Sequence, residues 1–429
     1  MKNSKYNIYR HKNDDLFIYN TMSGGVLHLN QEYHEKFKKI SADSSYEEQF
    51  PDLVENLIKG RMLVPEDVDE TEAVIIQSNI LRFSEKVYTL TIAPTMKCNF
   101  VCPYCYEVNK VYPQMEQNLV EKVKELFKRI KENHEYLSVA WYGGEPLLGF
   151  DIIQELSKEA INLFGEKYIA SIVTNGYLLS SDIISQLEKL CIKQMQITLD
   201  GPPEIHNKRR KLPNGGDTFF VILNNIKKMV ELSPDTKVTI RVNIDKENVS
   251  HVDKILSYLD DYGLRERGGF YLAPVDNIND TCNSSICFNN TEFAKEQLKF
   301  VEENLKRGYN YLHFPHANLG ICGAVSPNSY VIDAIGDIYK CWDDVARTEH
   351  KIGNIMDDKI PMNKNLTKWL SYDVREDEEC MNCVYLPVCM GGCPNQRIKG
   401  KKKCLPIKEN AEEYIRLIYD LSKESISRK

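Results

Sequence analysis

Apolar and polar positions alternate in three short runs near the start of the chain: YNIYR, DLFIYNT and GGVLHLN. Lys-Asn-Asp and Ser-Gly-Gly separate them, so the pattern predicts three strands joined by turns. Helical spacing follows around residues 32–40 and again near 53–59, and MLVP predicts a last short strand. Residues 1–85 therefore read as a small separate α+β unit, winged-helix-like in element order. From Val87 the rhythm changes. Six strand-like runs, VYTLTIAPT (87–95), LSVAWYGG (137–144), YIASIVTNG (168–176), QMQITLDG (194–201), KVTIRVNID (237–245) and GGFYLAPV (268–275), alternate with amphipathic stretches such as 118–133 and 182–190. Six βα repeats predict a parallel sheet with helices outside. Six are too few for a closed eight-stranded barrel, so a partial barrel over 86–310 is expected, with its chemistry at the C-terminal ends of the strands. Past residue 310 the alternation stops. Residues 311–407 are rich in Cys, Gly, Asp and turns, and 408–429 predict a closing polar helix.

Composition narrows the class. Hydrophobic residues make up 42% of 429, enough for sizeable cores and too many for a disordered chain. A net charge of −7 gives no basic footprint for nucleic acid. No export signal opens the chain, and no run is apolar and long enough to span a membrane. A cytoplasmic protein is expected. There are 13 Cys, an odd and clustered set. In a reducing compartment such a set points to metal rather than to disulfides.

The first cluster is CNFVCPYC, placing Cys98, Cys102 and Cys105 with spacing C-x3-C-x2-C directly after the first barrel strand. Three thiolates on one loop suit an iron–sulfur cluster. Three ligands leave one iron of a 4Fe–4S cluster open, and an open metal position is where substrate binds. A zinc site is the alternative, although structural zinc normally closes with four ligands. Gly143-Gly144-Glu145 ends the second strand run and Thr174-Asn175-Gly176 the third. ITLDGPPEIHNKRR spans the end of the fourth run and the segment after it.

Together these motifs resemble the radical SAM superfamily, including Tyr104 before the last Cys and the Tyr106-Glu107 pair after it. The resemblance implies that Cys98, Cys102 and Cys105 hold a 4Fe–4S cluster whose open iron chelates S-adenosylmethionine. It also implies that a 5′-deoxyadenosyl radical made there abstracts hydrogen from a substrate. Such hard chemistry belongs to the cofactors, and the protein binds and orients. By the same resemblance Tyr104 meets adenine through its backbone, and Gly143, Gly144 and Glu145 receive the ammonium group. Asn175 and Thr198 lie by the cofactor, and Arg210 clamps its carboxylate, a task suited to a bidentate guanidinium. Arg209 is the alternative clamp. Leu272 is either an adenine contact or a core leucine, and Asp200 reads as a loop-fixing residue.

The second constellation is Cys322, Cys341, Cys380, Cys383, Cys389, Cys393 and Cys404. Its spacing resembles the SPASM domain appended to radical SAM enzymes that modify peptides. The resemblance implies two auxiliary 4Fe–4S clusters, one on Cys380, Cys383, Cys389 and Cys404, the other on Cys322, Cys341 and Cys393. Two closed clusters need eight Cys and this region has seven. The first auxiliary cluster is therefore expected to have an open iron or a remote ligand, with Cys282, Cys287 and His316 as candidates. Cys191 reads as a core residue, and Lys399–Lys403 as a solvated loop. Three clusters would give about 12 irons per chain.

Residues 1–85 resemble, more weakly, the precursor-recognition element of ribosomal peptide maturases, onto which a leader peptide adds as a strand. The expected activity is therefore maturation of a ribosomally made precursor peptide by a Cys thioether cross-link, with an external electron donor such as flavodoxin or ferredoxin. The alternatives are carbon–carbon cross-linking and anaerobic sulfatase maturation, which forms formylglycine. Sulfatase-maturating enzymes usually carry Asp directly after the Cys at position 341, where this chain has Trp342, with Asp343 and Asp344 next.

Overall fold

A computed structural model describes residues 1–105, 107, 113–264, 268–276, 283–309, 315–357 and 359–427. Tyr106 and Cys282, named above, lie outside the described residues.

The chain begins with β1 (Lys2–Asn3), then β2 (Asn7–Lys12), β3 (Asp15–Asn20) and β4 (Val26–Leu29) in an antiparallel sheet of order β2-β3-β4. Helix α1 (Gln31–Ala42) starts where the Asn30 side chain accepts from the Tyr33 N–H. Helix α2 (Pro51–Lys59) starts on a proline, and β5 (Leu63–Val64) returns to pair with β1. Strand β3 divides two cores by alternation. Leu16 and Ile18 pack with Phe37, Ile40 and Leu57 beneath the helices, while Phe17 and Tyr19 face Ile415 of the C-terminal helix (Ile407–Ser427).

A further helix, α3 (Glu70–Arg82), was not evident in the pattern. Its Val74 and Ile75 pack with Tyr6 and with Val374, Leu386 and Met390 of the Cys-rich segment. At its end the buried Arg82 guanidinium donates to the carbonyls of Val325, Tyr372 and Leu370 at 3.0, 2.7 and 2.8 Å.

The six expected strands form one parallel run in sequence order: β6 (Val87–Ile92), β7 (Tyr136–Trp141), β8 (Tyr168–Thr174), β9 (Ile192–Thr198), β10 (Lys237–Ile244) and β11 (Gly268–Pro274). Between them run α4 (Gln117–Asn133), α5 (Phe150–Phe164), α6 (Ser181–Ile184), α7 (Pro203–Arg209), α8 (Phe219–Leu232) and α9 (Val252–Asp261), and α10 (Asn290–Lys306) follows. Stretch 182–190 is helical only to Ile184. The chain must reverse to enter β9, and Cys191 makes that turn at φ +55°. One face of the sheet carries Leu90, Val139, Trp141, Ile172, Ile197 and Ile240, which pack under the helices as the main core. The other face carries Thr91, Ser138, Ser171, Gln196, Thr198 and Arg241, so it is polar where a closed barrel would be filled with branched aliphatics.

Among the described residues this sheet has nine strands rather than six. From the Cys-rich segment β12 (Ser329–Ile332) adds parallel to β6, and β13 (Asp337–Tyr339) and β14 (Gly353–Asn354) follow antiparallel. The result is a mixed α/β sheet shaped as a partial barrel. These added strands are two to four residues long and sit among Gly and Asp turns, too short for periodicity to reveal. Among the described residues no helix is long and apolar enough to cross a membrane.

Candidate active site

The loop leaving β6 carries Cys98, Cys102 and Cys105, each half-buried. It is held on both flanks. Glu145 N–H donates to the Lys97 carbonyl at 2.8 Å, and Asn175 Nδ2 donates to Asn99 Oδ1 at 2.7 Å. Burial pushes the Cys98 thiol up to about 12. A metal must therefore displace its proton on binding. Among the described residues no three His, Cys, Asp or Glu side chains converge as they would on a single ion. A four-iron cluster holds its thiolates farther apart than one ion does, and the donor set on this loop suits it.

Gly143 and Gly144 allow a close approach. A Cβ on Gly143 would stand 2.3 Å from the Thr95 carbonyl oxygen, and one on Gly144 would stand 2.4 Å from that of Lys97. These glycines let the end of β7 press against the cysteine loop. Glu145 is 0% exposed, and its carboxylate accepts from Leu147 N–H at 3.1 Å, Thr174 Oγ1 at 2.6 Å and Asn175 N–H at 2.7 Å. Burial pushes this carboxyl up and the three bonds pull it down. Its described bonds thus join the ends of β7 and β8.

The two arginines separate clearly. Arg209 is engaged by aspartates, with NH1 2.8 Å from Asp245 Oδ2 and Nε 3.6 Å from Asp200 Oδ2. Arg210 donates to the Tyr104 hydroxyl at 3.1 Å, and the buried Nε of Arg210 has no hydrogen-bond partner, nor do Nε and Nη2 of Arg209, so the two differ in their acidic partners rather than in spare donors. Tyr104 in turn donates to Asp200. A partly buried guanidinium with donor capacity to spare fits a ligand carboxylate. His206 is held neutral, well below its usual range, by burial and then by Arg210 and Arg209. Asp200 fixes more than a loop, since it links Tyr104 and Arg209 across the strand ends. Thr198 is buried at the end of β9, and Leu272 belongs to the main core.

The Tyr104–Asp200–Arg209–Asp245 network was not anticipated as a unit. One signal existed: β9 and β10 both run into an Asp, in ITLD and VNID, within two residues of the strand end. Trp342 was foreseen only as a departure. It is 47% exposed and stacks on Tyr142, the residue before Gly143, with ring centroids 5.5 Å apart.

In the Cys-rich segment one cavity is lined by Cys380, Cys383, Cys389 and Cys404 together, with Arg397 and Lys402 at its wall. These are the four residues that the resemblance groups together. Arg397 steadies it, donating to Cys380 Sγ at 2.7 Å and to Asp377 at 2.6 Å. A second cavity of about 1000 Å3 borders Cys322, Cys393 and His316, and also Cys389 and Cys404. Cys341 lies apart from that lining and accepts from Asn395 Nδ2 at 3.2 Å. Cys287 bonds instead to the Asn283 carbonyl at 3.7 Å.

Compared with known proteins, residues 92–259 match the radical SAM superfamily. The chain is 27% identical over 338 residues to a cysteine-type anaerobic sulfatase-maturating enzyme of Clostridium novyi, covering 72% of this chain and 88% of the relative. The solved structure of native anSMEcpe with bound AdoMet aligns with a TM-score of 0.61 at 20% identity, covering 78% of this chain and 100% of that one. Streptococcus suis SuiB bound to precursor peptide SuiA aligns with a TM-score of 0.56 at 16% identity, covering 94% and 98%. At these identities the two structures speak for the fold.

Proposed function

We propose, for a chain whose residues 92–259 are a radical SAM domain and which is therefore a radical SAM enzyme, that its substrate is a cysteine-bearing peptide or protein segment. The observation that carries this is the similarity to a cysteine-type sulfatase-maturating enzyme over 72% of the chain. That similarity favours oxidation of the substrate cysteine to formylglycine, the reading that the sequence pattern set behind thioether formation.

When bound, S-adenosylmethionine on a 4Fe–4S cluster supplies a carbon radical that takes hydrogen from the substrate. Cys98, Cys102 and Cys105 would hold that cluster and Arg210 the cofactor carboxylate. Arg209, Asp200 and Tyr104 keep Arg210 in place. Glu145 and Asn175 brace the cysteine loop, and the Trp342–Tyr142 stack stands beside the glycine turn. Cys380, Cys383, Cys389 and Cys404 would hold one auxiliary 4Fe–4S cluster. Cys322, Cys341 and Cys393 would hold another, which makes three in all, fed by an external one-electron donor such as flavodoxin or ferredoxin.

A second reading, precursor-peptide maturation by a thioether or carbon–carbon cross-link, is favoured by the N-terminal unit. Strand β2 is an edge of its sheet. A groove beside it is lined by Tyr9 and His11 of β2 and by His34, Phe37 and Lys38 of α1. An edge strand next to a groove suits a leader peptide that adds as a strand. The deciding experiment is anaerobic incubation of the reconstituted enzyme with S-adenosylmethionine, reductant and cysteine-containing peptides. An aldehyde trapped by a hydrazide supports formylglycine. Loss of a pair of hydrogens with one thiol blocked supports a thioether. S-adenosylmethionine cleavage that survives replacement of Cys98, Cys102 and Cys105 together by Ala overturns both.

A further inference from the structure

One charged side chain on the inner face of the partial barrel has no part in the site described above. Arg241 lies on β10 between Thr198 of β9 and Tyr271 of β11, its partners in the two ladders. Its neighbours Ile240 and Val242 enter the main core, so Arg241 faces the lumen. Its Nε donates to Asn243 Oδ1 at 2.7 Å, and its guanidinium stands 6.0 Å from the centre of the Tyr271 ring. Tyr271 is itself tied down, donating to Gln196 Oε1 at 2.8 Å across β10. These contacts hold the half-buried guanidinium yet occupy only its Nε. Among the described residues nothing accepts from either Nη nitrogen, and no carboxylate pairs with Arg241.

Position gives this fork its task. Asn243 lies two residues further along β10, nearer the strand end, and its Nδ2 is 3.5 Å from the Tyr104 hydroxyl that also accepts from Arg210. Arg241 therefore stands one side-chain layer, about 7 Å along the strand, deeper in the lumen than the residue that meets Tyr104. S-adenosylmethionine has a single carboxylate, which Arg210 is proposed to take. We infer that Arg241 binds a second carboxylate, carried by the peptide substrate on an acidic side chain or at its C-terminus, and so selects for it. The inference rests on the proposed reading that the substrate is a cysteine-bearing peptide. A guanidinium fork grips a carboxylate through two parallel bonds, whereas an amide of the same shape offers it one acceptor. The unmatched donors then stay unpaired, which rejects the amide. Thr198, in the same layer, is expected beside the cofactor, so the cofactor carboxylate is the competing ligand.

The test uses the full chain, reconstituted anaerobically with iron and sulfide and supplied with S-adenosylmethionine and reductant. The probes are C-terminally amidated cysteine peptides with one Glu at each position in turn, their Gln counterparts, and the Gln peptides with a free C-terminus. Mass spectrometry of peptide conversion gives kcat and KM. For one acidic probe the parent should show a KM about tenfold below that of its amide match, and whether that probe carries Glu or a free terminus identifies the source of the carboxylate. Arg241→Gln should abolish the difference by raising the KM of the acidic probe, with kcat and the KM of the amide match kept within about twofold. Arg241→Lys, which keeps the charge without the fork, should fall between. S-adenosylmethionine affinity, measured by calorimetry, should stay within about twofold in both variants, which also shows that they are folded. A parent that does not distinguish acid from amide overturns the inference, as does a preference that survives Arg241→Gln. A loss of S-adenosylmethionine affinity of about tenfold in both variants assigns Arg241 to the cofactor and overturns it too. A parent that cleaves S-adenosylmethionine yet converts none of the peptides overturns the peptide reading itself and the inference with it.

Discussion

Replacing Glu145 by Gln separates a bracing carboxylate from one that contacts the cofactor. In the fold Oε1 accepts from Leu147 N–H and Thr174 Oγ1, and Oε2 accepts from Asn175 N–H. Glutamine can present its oxygen to only one side. With that oxygen kept toward Leu147 and Thr174, its NH2 faces the Asn175 N–H, so one bond is lost and two buried donors meet. The expected loss is about 1–3 kcal/mol of stability, because the site is fully buried and water cannot compensate. Thr174→Val removes the hydroxyl bond alone and should cost about 1 kcal/mol. The two changes share a partner, so their sum should exceed the double variant. Denaturant unfolding measures stability, and calorimetric titration measures S-adenosylmethionine binding. The bracing role is refuted if Glu145→Gln unfolds within about 0.5 kcal/mol of the parent while S-adenosylmethionine affinity falls tenfold or more.

Arg210→Lys should weaken S-adenosylmethionine binding by at least about tenfold without unfolding the protein, whereas Arg209→Met should destabilise by about 3–5 kcal/mol by removing the cation that Asp200 and Asp245 share. Calorimetry and thermal unfolding distinguish the two. Arg82→Met removes three bonds to backbone carbonyls and should cost about 3–5 kcal/mol, read by denaturant unfolding. Burial raises the carboxyl of Asp333 to about 6 from 3.8. The folded state therefore holds that proton more tightly than the unfolded chain, so the associated stability is full below 3.8 and lost as pH rises through about 6. Asp333→Asn should flatten unfolding free energy against pH across that window. Tyr9→Asp should weaken binding of a leader-bearing peptide severalfold and spare uncoupled S-adenosylmethionine cleavage. Deleting residues 1–85 is a poorer test, because it uncovers Val374, Leu386 and Ile415.

The parallel strands were legible because each pairs a strongly apolar face with abrupt Gly, Asn or Asp endings. The cysteine loop was legible because its three Cys are local in sequence, whereas the grouping of Cys380, Cys383, Cys389 and Cys404 around one cavity was suggested by the resemblance. What escaped was non-local. Tyr104, Asp200 and Asp245 are far apart in sequence and are linked only because the ends of β9 and β10 lie side by side and the loop after β6 reaches across to them. The division of labour between Arg209 and Arg210 depends on which side chain reaches the aspartates, and no spacing rule encodes that. Glycines 143 and 144 read as ligand-facing, yet the space they spare is filled by the backbone of residues 95–97. Helix α3 escaped because its exposed side carries Ile76, Ile80 and Leu81, which blurs its amphipathic signal.

Strand β12 lies against β6 in a four-residue ladder from Ser329–Thr89 to Ile332–Ile92, although these partners are more than half the chain length apart. During synthesis the strand that feeds Cys98 must therefore wait, with one edge bare, until more than three quarters of the polypeptide has been made. An open edge is a template for wrong pairing, and contacts between distant segments form slowly. Chains truncated before Ser329 should accumulate as aggregates with an incomplete cysteine loop. Iron delivered late in biogenesis would meet a finished sheet, whereas iron delivered early would meet a loop still lacking its neighbour.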